Sequence, residues 1–305
     1  MDIKIGDIIK DRREKIGITQ EELCTGICSQ RTISRIETNK NVPSVFIMEN
    51  LMQRLAIPIT ENYYLLLNSD TDTHIRYLQQ QIDYYTSNWE NIKAKELLYE
   101  LENISDKQNT LQQQFIFSKK AIIEALSDNE KIEMLTKAIK YTIPKFDIDN
   151  INFKVISLEE CKIIVNIANI YSNTDKEKAI KIYSDLLTIT KSNFSNLKDY
   201  AYINALITCC LSKFLYHVEK YNDSIYISEI GIEALIKSNK MHLMGELLLY
   251  KALSVLKIGN ITEGKKLLNK SFVFMETMKS DYNLKCALEY VQKEFSFIPT
   301  DFVEF

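Results

Sequence analysis

Turn punctuation is scarce in this chain. Seven glycines and four prolines in 305 residues are too few for a sheet protein, whose strands must reverse every several residues, so helices joined by short polar turns are expected. Long apolar runs are missing as well: no window holds ~18 uninterrupted apolar residues, which excludes a membrane-spanning helix and leads us to expect a cytoplasmic protein with no membrane partner. The three histidines and six cysteines form no metal-ligand spacing. Cys24 and Cys28 have no third ligand near them, so free thiols are expected, with no metal and no cofactor. A Gly-rich phosphate loop and a nucleophile motif are also absent, which leaves an enzyme little support and no catalytic residue to name. The net charge of −3 argues against a protein that coats nucleic acid along its whole length. Residues 1–60 nevertheless hold nine Lys or Arg against eight Asp or Glu, while the rest hold 29 against 33. Any duplex affinity must therefore come from local placement of Arg12, Arg13, Lys15, Arg31, Arg35 and Lys40, doubled by dimerisation.

The densest pattern runs from Thr19 to Glu37, TQEELCTGICSQRTISRIE. Thr19 with Glu22 three residues on makes a capping box, which opens a brief helix over Gln20 to about Thr25. Gly26 can take the left-handed backbone that ends it. Ser29 then caps a second helix whose Ile33 and Ile36 face inward, leaving Gln30, Arg31, Ser34 and Arg35 outside. A helix that enters the major groove by its N-terminal end needs forked side chains of this kind, because Gln pairs with adenine and Arg with guanine. The rest of the segment supplies a scaffold. Ile5, Ile8, Ile9 and Ile16 give a first helix its apolar stripe; Leu23, Ile27, Ile33, Ile36, Val45, Ile47, Leu51 and Leu55 supply a core; Pro43-Ser44 caps a fourth helix. Pro58 ends that helix and Thr60 is placed to cap a fifth.

From Ile5 to about Ile57 the pattern resembles the Xre/Cro-type DNA-binding domain. The resemblance implies that Gln20 contacts phosphate and that Gln30, Arg31 and Arg35 reach bases, with Ser34 and Lys40 on the same face. The short turn GICS looks more like the peptide-responsive Rgg and PlcR regulators.

Beyond residue 67 the plan changes. We expect a helix-turn-helix domain over 1–67, a polar linker at 68–73 (NSDTDT spans Asn68–Thr73) and a helical array over 74–305. Three segments repeat one plan of helix, tight polar turn and helix, carrying Ala168, Tyr171, Ala179 and Tyr183, then Ser212, Tyr221 and Ser224, then Ala252, Gly259 and Gly264. Small residues let paired helices approach closely, and pairs stack because one alone cannot bury its apolar face. Positions 179, 224 and 264 are spaced more widely than the ~34 residues of the standard tetratricopeptide repeat, so the array is a degenerate, long-helix version. Two further pairs are expected over Ile75–Ile104 and Leu111–Tyr141, a longer connection over Pro144–Phe153, Trp89 in the core, His217 and His242 at or near the surface, and the tail FSFIPTDFVEF as a cap. The fold expected is all-α: a five-helix N-terminal domain followed by a right-handed superhelix of tetratricopeptide-like helix pairs.

The first helix of each pair should line a concave face. Asn166 and Asn169 share one helical face there, and an amide that donates and accepts at once can clamp an extended peptide backbone. Cys210 and Lys213 hold the corresponding places in the second repeat, and Tyr250 and Leu253 in the third, with Glu246 one turn earlier. Together, domain order and motifs resemble the Rgg and PlcR branch of regulators across essentially the whole chain. That resemblance implies a homodimer that binds a double-stranded DNA operator and is controlled by a short linear signalling peptide whose backbone is gripped by an Asn of the repeats; Asn166 keeps that pattern, Cys210 departs from it, and the register of the repeats adds Asn169, Lys213, Glu246 and Tyr250 as candidate contacts. The alternative is a DNA-binding repressor whose array docks a protein partner.

Overall fold

The computed structural model describes residues 4–55, 57, 70–194, 200–239 and 241–295. Among them every regular element is a helix, and the chain divides into two compact units, Met1–Asn193 and Phe194–Phe305.

The first unit opens with α1 (Ile5–Ile16), α2 (Gln20–Cys24), α3 (Gln30–Glu37) and α4 (Val45–Leu55). The capping box is present: the Glu22 N–H donates to Thr19 Oγ1 at 3.1 Å while the Thr19 N–H donates to the Glu22 carboxylate at 2.7 Å. Gly26, at φ +72°, supplies the left-handed residue between α2 and α3. Ile9, Leu23, Ile33, Ile36, Met48, Leu51 and Leu55 are fully buried, each contributing about 1.5–3 kcal/mol by leaving water. Two expectations shift. Ile8 is exposed, so the α1 stripe is narrower than drawn. Ile47 is half-buried, while Phe46, Met48 and Met52 join Leu51 and Leu55 in the core. An unbroken run of apolar residues, Val45 to Met48, hides the helical register from the sequence. Pro58, Thr60 and the fifth helix they announce lie outside the described residues.

The array begins with α5 (Asp70–Ser87). Residues 70–73, expected in the linker, instead open this helix, since Asp70-Thr71-Asp72 are good first-turn residues. Then come α6 (Asn91–Ile104), α7 (Thr110–Ile123) and α8 (Asp128–Lys140), an irregular connection over 141–157, and the pair α9 (Leu158–Thr174) and α10 (Lys176–Phe194). Asn109 and the Ser127–Glu130 box cap α7 and α8. Trp89 is not core. It takes φ +61° in the tight turn between α5 and α6, and that turn leaves the residue 62% exposed.

The second unit contains α11 (Tyr200–His217), α12 (Tyr221–Ser238), α13 (Met244–Lys257), α14 (Ile261–Thr277) and α15 (Asp281–Phe295). Its crossings are closed by small residues, as the repeat plan requires. Ser224 Oγ donates to the Ser212 carbonyl at 2.8 Å and receives the Ser254 hydroxyl at 2.9 Å, all three being buried. A Cβ on Gly264 would lie 2.5 Å from Leu256 Cδ2, so α13 and α14 approach so closely that any side chain there would have to displace Leu256. Ala168 and Ala179 are fully buried in the first unit in the same way. The tail from residue 296 lies outside the described residues.

Candidate nucleic-acid interface and peptide-facing helices

The outward face of α3 is set by its inward one. Ser29 Oγ accepts the Thr32 N–H at 3.1 Å, and Ile33 and Ile36 are fully buried, which fixes the helix's rotation. Gln30, Arg31 and Arg35 are consequently exposed, and Ser34 is half-buried. Lys40, also exposed, follows the helix end, with its N–H donated to the Arg35 carbonyl at 2.8 Å. Among the described residues no hydrogen bond or ion pair holds the side chains of Gln30, Arg31, Arg35 or Lys40. They are free to meet a ligand.

Three other cations of the domain already have partners. Arg13 forks onto Glu37, Nε to Oε1 at 2.6 Å and Nη2 to Oε2 at 2.9 Å, and the hydrogen bond to buried Glu37 raises the arginine's pKa further. Gln20 donates to the same carboxylate at 2.8 Å. Arg12 Nε donates to the Leu55 carbonyl at 3.0 Å, and Lys15 pairs with Asp11 at 2.7 Å. Of the cations expected to meet phosphate, Arg12 and Arg13 are tied to the scaffold, Lys15 keeps an exposed pair with Asp11, and Arg31, Arg35 and Lys40 have no side-chain partner among the described residues. No local pattern signals the engagement of Arg13 and Arg12, because their partners lie 24 and 43 residues away.

A residue not singled out from the sequence ties this domain to the array. Arg54 of α4, 3% exposed, donates from Nη1 to the Leu23 and Thr25 carbonyls at 3.0 and 2.7 Å, and from Nη2 to the Thr142 carbonyl at 3.2 Å and Glu160 Oε1 at 2.5 Å. Burial pushes the Glu160 pKa up, but the charge and hydrogen bond of Arg54 and the Ser157 N–H outweigh it and leave the carboxyl below its usual value. Around this pair the turn of the motif is seated on array backbone. Thr110 donates to the Gly26 carbonyl at 2.6 Å, and a Cβ on Gly26 would stand 2.2 Å from Thr142 Cα. Cys24 and Cys28 are free thiols in this turn; a hydrogen bond from Cys28 lowers the Cys24 pKa to about 7.

On α9, Asn166 is half-buried and Asn169 exposed. The Tyr183 hydroxyl donates to Asn169 Oδ1 at 2.5 Å, so that amide keeps its NH₂ and one oxygen lone pair for a ligand, whereas no side-chain bond claims Asn166 among the described residues. In the second unit Cys210 is half-buried and Lys213 exposed on α11. Glu246 accepts the Asn283 amide at 2.9 Å. Tyr250 is packed with Tyr216 and His217, ring centroids 6.3 and 6.4 Å apart, and burial pushes its pKa up. Leu253 is 1% exposed and belongs to the core. The structure thus brings Asn166 beside Asn169 in one unit and gathers Lys213, His217 and Tyr250 in the other, where Lys213 and burial both lower the His217 pKa, burial the more.

Fold and exposed face together define a helix-turn-helix protein carried on a helical-repeat body. Residues 9–62 match the helix-turn-helix family model, and residues 133–293, more than half the chain, match the RNPP family C-terminal domain. The chain belongs to the RNPP family, one of transcriptional regulators and not of enzymes. Its fold is similar to that of Bacillus thuringiensis PlcR in complex with the peptide PapR7 and DNA, with TM-score 0.57 and 22% identity over 92% of this chain and 98% of that one. PlcR in its apo form gives TM-score 0.57 at 18% identity over 93% and 97%. The apo form of the competence regulator ComR from Streptococcus vestibularis gives 0.50 at 16% identity over 95% and 98%. No curated protein sequence matches the chain. Among the described residues no helix is long and apolar enough to cross a membrane, and no group of His, Cys, Asp and Glu is placed to hold a metal ion.

Proposed function

We propose that this chain is a cytoplasmic quorum-sensing transcriptional regulator. It binds a double-stranded DNA operator as a homodimer through α3, and a short linear signalling peptide held by the array controls it. The observation that carries the reading is the capped α3 presenting Gln30, Arg31 and Arg35 with no partner of their own, on a chain whose larger part is an RNPP C-terminal domain. In this reading Arg31 and Arg35 reach base edges or phosphates, Ser34 and Lys40 add backbone contacts, and Gln20 reaches phosphate only by sharing its amide with Glu37. Asn166 and the NH₂ of Asn169 grip the peptide backbone, and Cys210, Lys213, Glu246 and Tyr250 are the contacts expected of the second unit. Each amide bond is worth about 1 kcal/mol net, so several must act together. A peptide that prefers one dimer geometry shifts the population towards it, and half-sites ~34 Å apart read that geometry.

The test is melting temperature and DNA binding of the full chain with synthetic peptides cut from the C-terminal ends of adjacent short reading frames. One peptide should raise the melting temperature and alter operator affinity, and Asn166→Ala should weaken both effects. A dimer that binds DNA while no peptide acts would overturn the peptide reading in favour of a docked protein partner.

A further inference from the structure

A cavity of about 200 Å³ lies within the first unit, walled by α4 of the helix-turn-helix domain and by α5, α7 and α9 of the array. It has room for roughly six waters at ~30 Å³ each, or for one amino-acid residue. Its charged lining comes from Glu49 on α4, Arg76 and Asp83 on α5, and Glu159 and Lys162 on α9, three carboxylates against two cations.

The carboxylates are not equally satisfied. Asp83 is held by Lys119 at 2.6 Å and Lys162 at 3.1 Å. Glu159 accepts the Ser118 hydroxyl at 2.9 Å and meets Lys162 at 3.6 Å. Among the described residues Glu49 has Arg76 alone as a partner, at 3.5 Å, at the limit of a hydrogen bond. Burial pushes its pKa up and Arg76 offsets this only in part. A half-buried carboxylate in this position is stabilised by a cation that can approach to hydrogen-bonding distance.

We propose that this cavity seats a primary ammonium on Glu49, and that the ammonium is the free amino terminus of the signalling peptide. The inference rests on the peptide reading above. Its geometric ground is α9: Glu159, Lys162, Asn166 and Asn169 succeed one another at intervals of three and four residues and so form one stripe. Glu159 and Asn166 are separated by roughly 10 Å along the helix at 1.5 Å per residue, the span of about three extended residues at ~3.3 Å each. A backbone gripped at Asn166 and running towards Glu159 reaches the cavity, which Glu159 and Glu49 both line, within about three residues. The consequence is a direct route to the DNA-reading motif, because α4 carries both Glu49 and Arg54, and Arg54 holds the carbonyls of Leu23 and Thr25.

Calorimetric titration of the full chain with tri-alanine amide, its N-acetyl form and n-butylamine tests this. The free-amine peptide should bind at least tenfold more tightly than the acetylated one. Glu49→Gln should abolish that ratio without lowering the melting temperature, and Asn166→Ala should weaken both peptides while keeping the ratio. Equal, Asn166-dependent binding of the two peptides would overturn the ammonium site and leave the peptide reading standing. Glu49-dependent binding of n-butylamine with no binding of either peptide would overturn the assignment to a peptide terminus and count against the peptide reading as well. Binding of no probe, or a ratio that survives Glu49→Gln, would overturn the proposal outright.

Discussion

Replacing Glu160 by Gln keeps the shape of the Arg54 clamp and removes its negative charge. The guanidinium is left buried, 3% exposed, with three carbonyls and no counter-ion. Breaking such a pair from one side costs about 3–5 kcal/mol, most of it the desolvation of the charge left behind. At about 2–4 °C per kcal/mol for a unit of this size, the first unit should melt roughly 6–20 °C lower. The sign with pH follows from the carboxyl's lowered pKa: the pair's contribution is complete above the usual value of 4.5 and is lost as pH falls through the depressed folded value, so Glu160→Gln should flatten the acid limb of the stability curve. Circular-dichroism melts from pH 3 to 8 read both effects. The double variant Arg54→Met with Glu160→Leu should recover much of the loss, since an apolar pair of similar volume has no charge to desolvate. A single variant melting within 2 °C of the parent at pH 7 would refute the clamp.

Gly26→Ala should cost about 2 kcal/mol or more, because it adds the left-handed backbone penalty of ~1–2 kcal/mol to a collision with Thr142 backbone, whereas Gly17→Ala, at similar φ but with nothing within 4 Å, should cost only the former. Thermal melts of the two separate the contact from the conformation, and equal losses would remove the close approach from the account. Arg31→Ala and Arg35→Ala should each weaken DNA binding, lowering the salt slope by about 1 if the residue meets phosphate or relaxing base preference if it meets a base; Arg12→Ala should lower the melting temperature and leave the salt slope unchanged. Gly264→Val should destabilise the second unit by about 1–3 kcal/mol through its contact with Leu256; denaturant midpoints unchanged from the parent would contradict that crossing.

Local chemistry was legible in the sequence and distant chemistry was not. Thr19, Glu22, Gly26 and Ser29 announced their caps and turn because each acts within three or four residues, and the small residues at 168, 179, 212, 224, 252 and 264 marked crossings because a repeat displays its own plan several times. Arg54 and Glu160 stand 106 residues apart and carry no pattern. Arg12 and Arg13 looked like free cations because charge on a surface helix reads the same whether it points to water or to the Leu55 carbonyl and Glu37 carboxylate folded beneath it. Trp89 was misplaced because size argues for burial, while the turn's backbone decided otherwise. On the groove side, helical spacing put Asn166 and Asn169 on one face, but only coordinates could reveal that Tyr183 already occupies one amide oxygen.

The most direct measurement is reciprocal coupling. The peptide selected by the melting screen would be titrated calorimetrically into the full chain with and without its operator fragment, and the operator into the chain with and without peptide. Control of DNA binding by peptide predicts that each ligand changes the other's affinity by one common factor, 5-fold or more in either direction, typical coupling being about 1–3 kcal/mol. A peptide that binds equally tightly in the presence and absence of DNA would contradict the account.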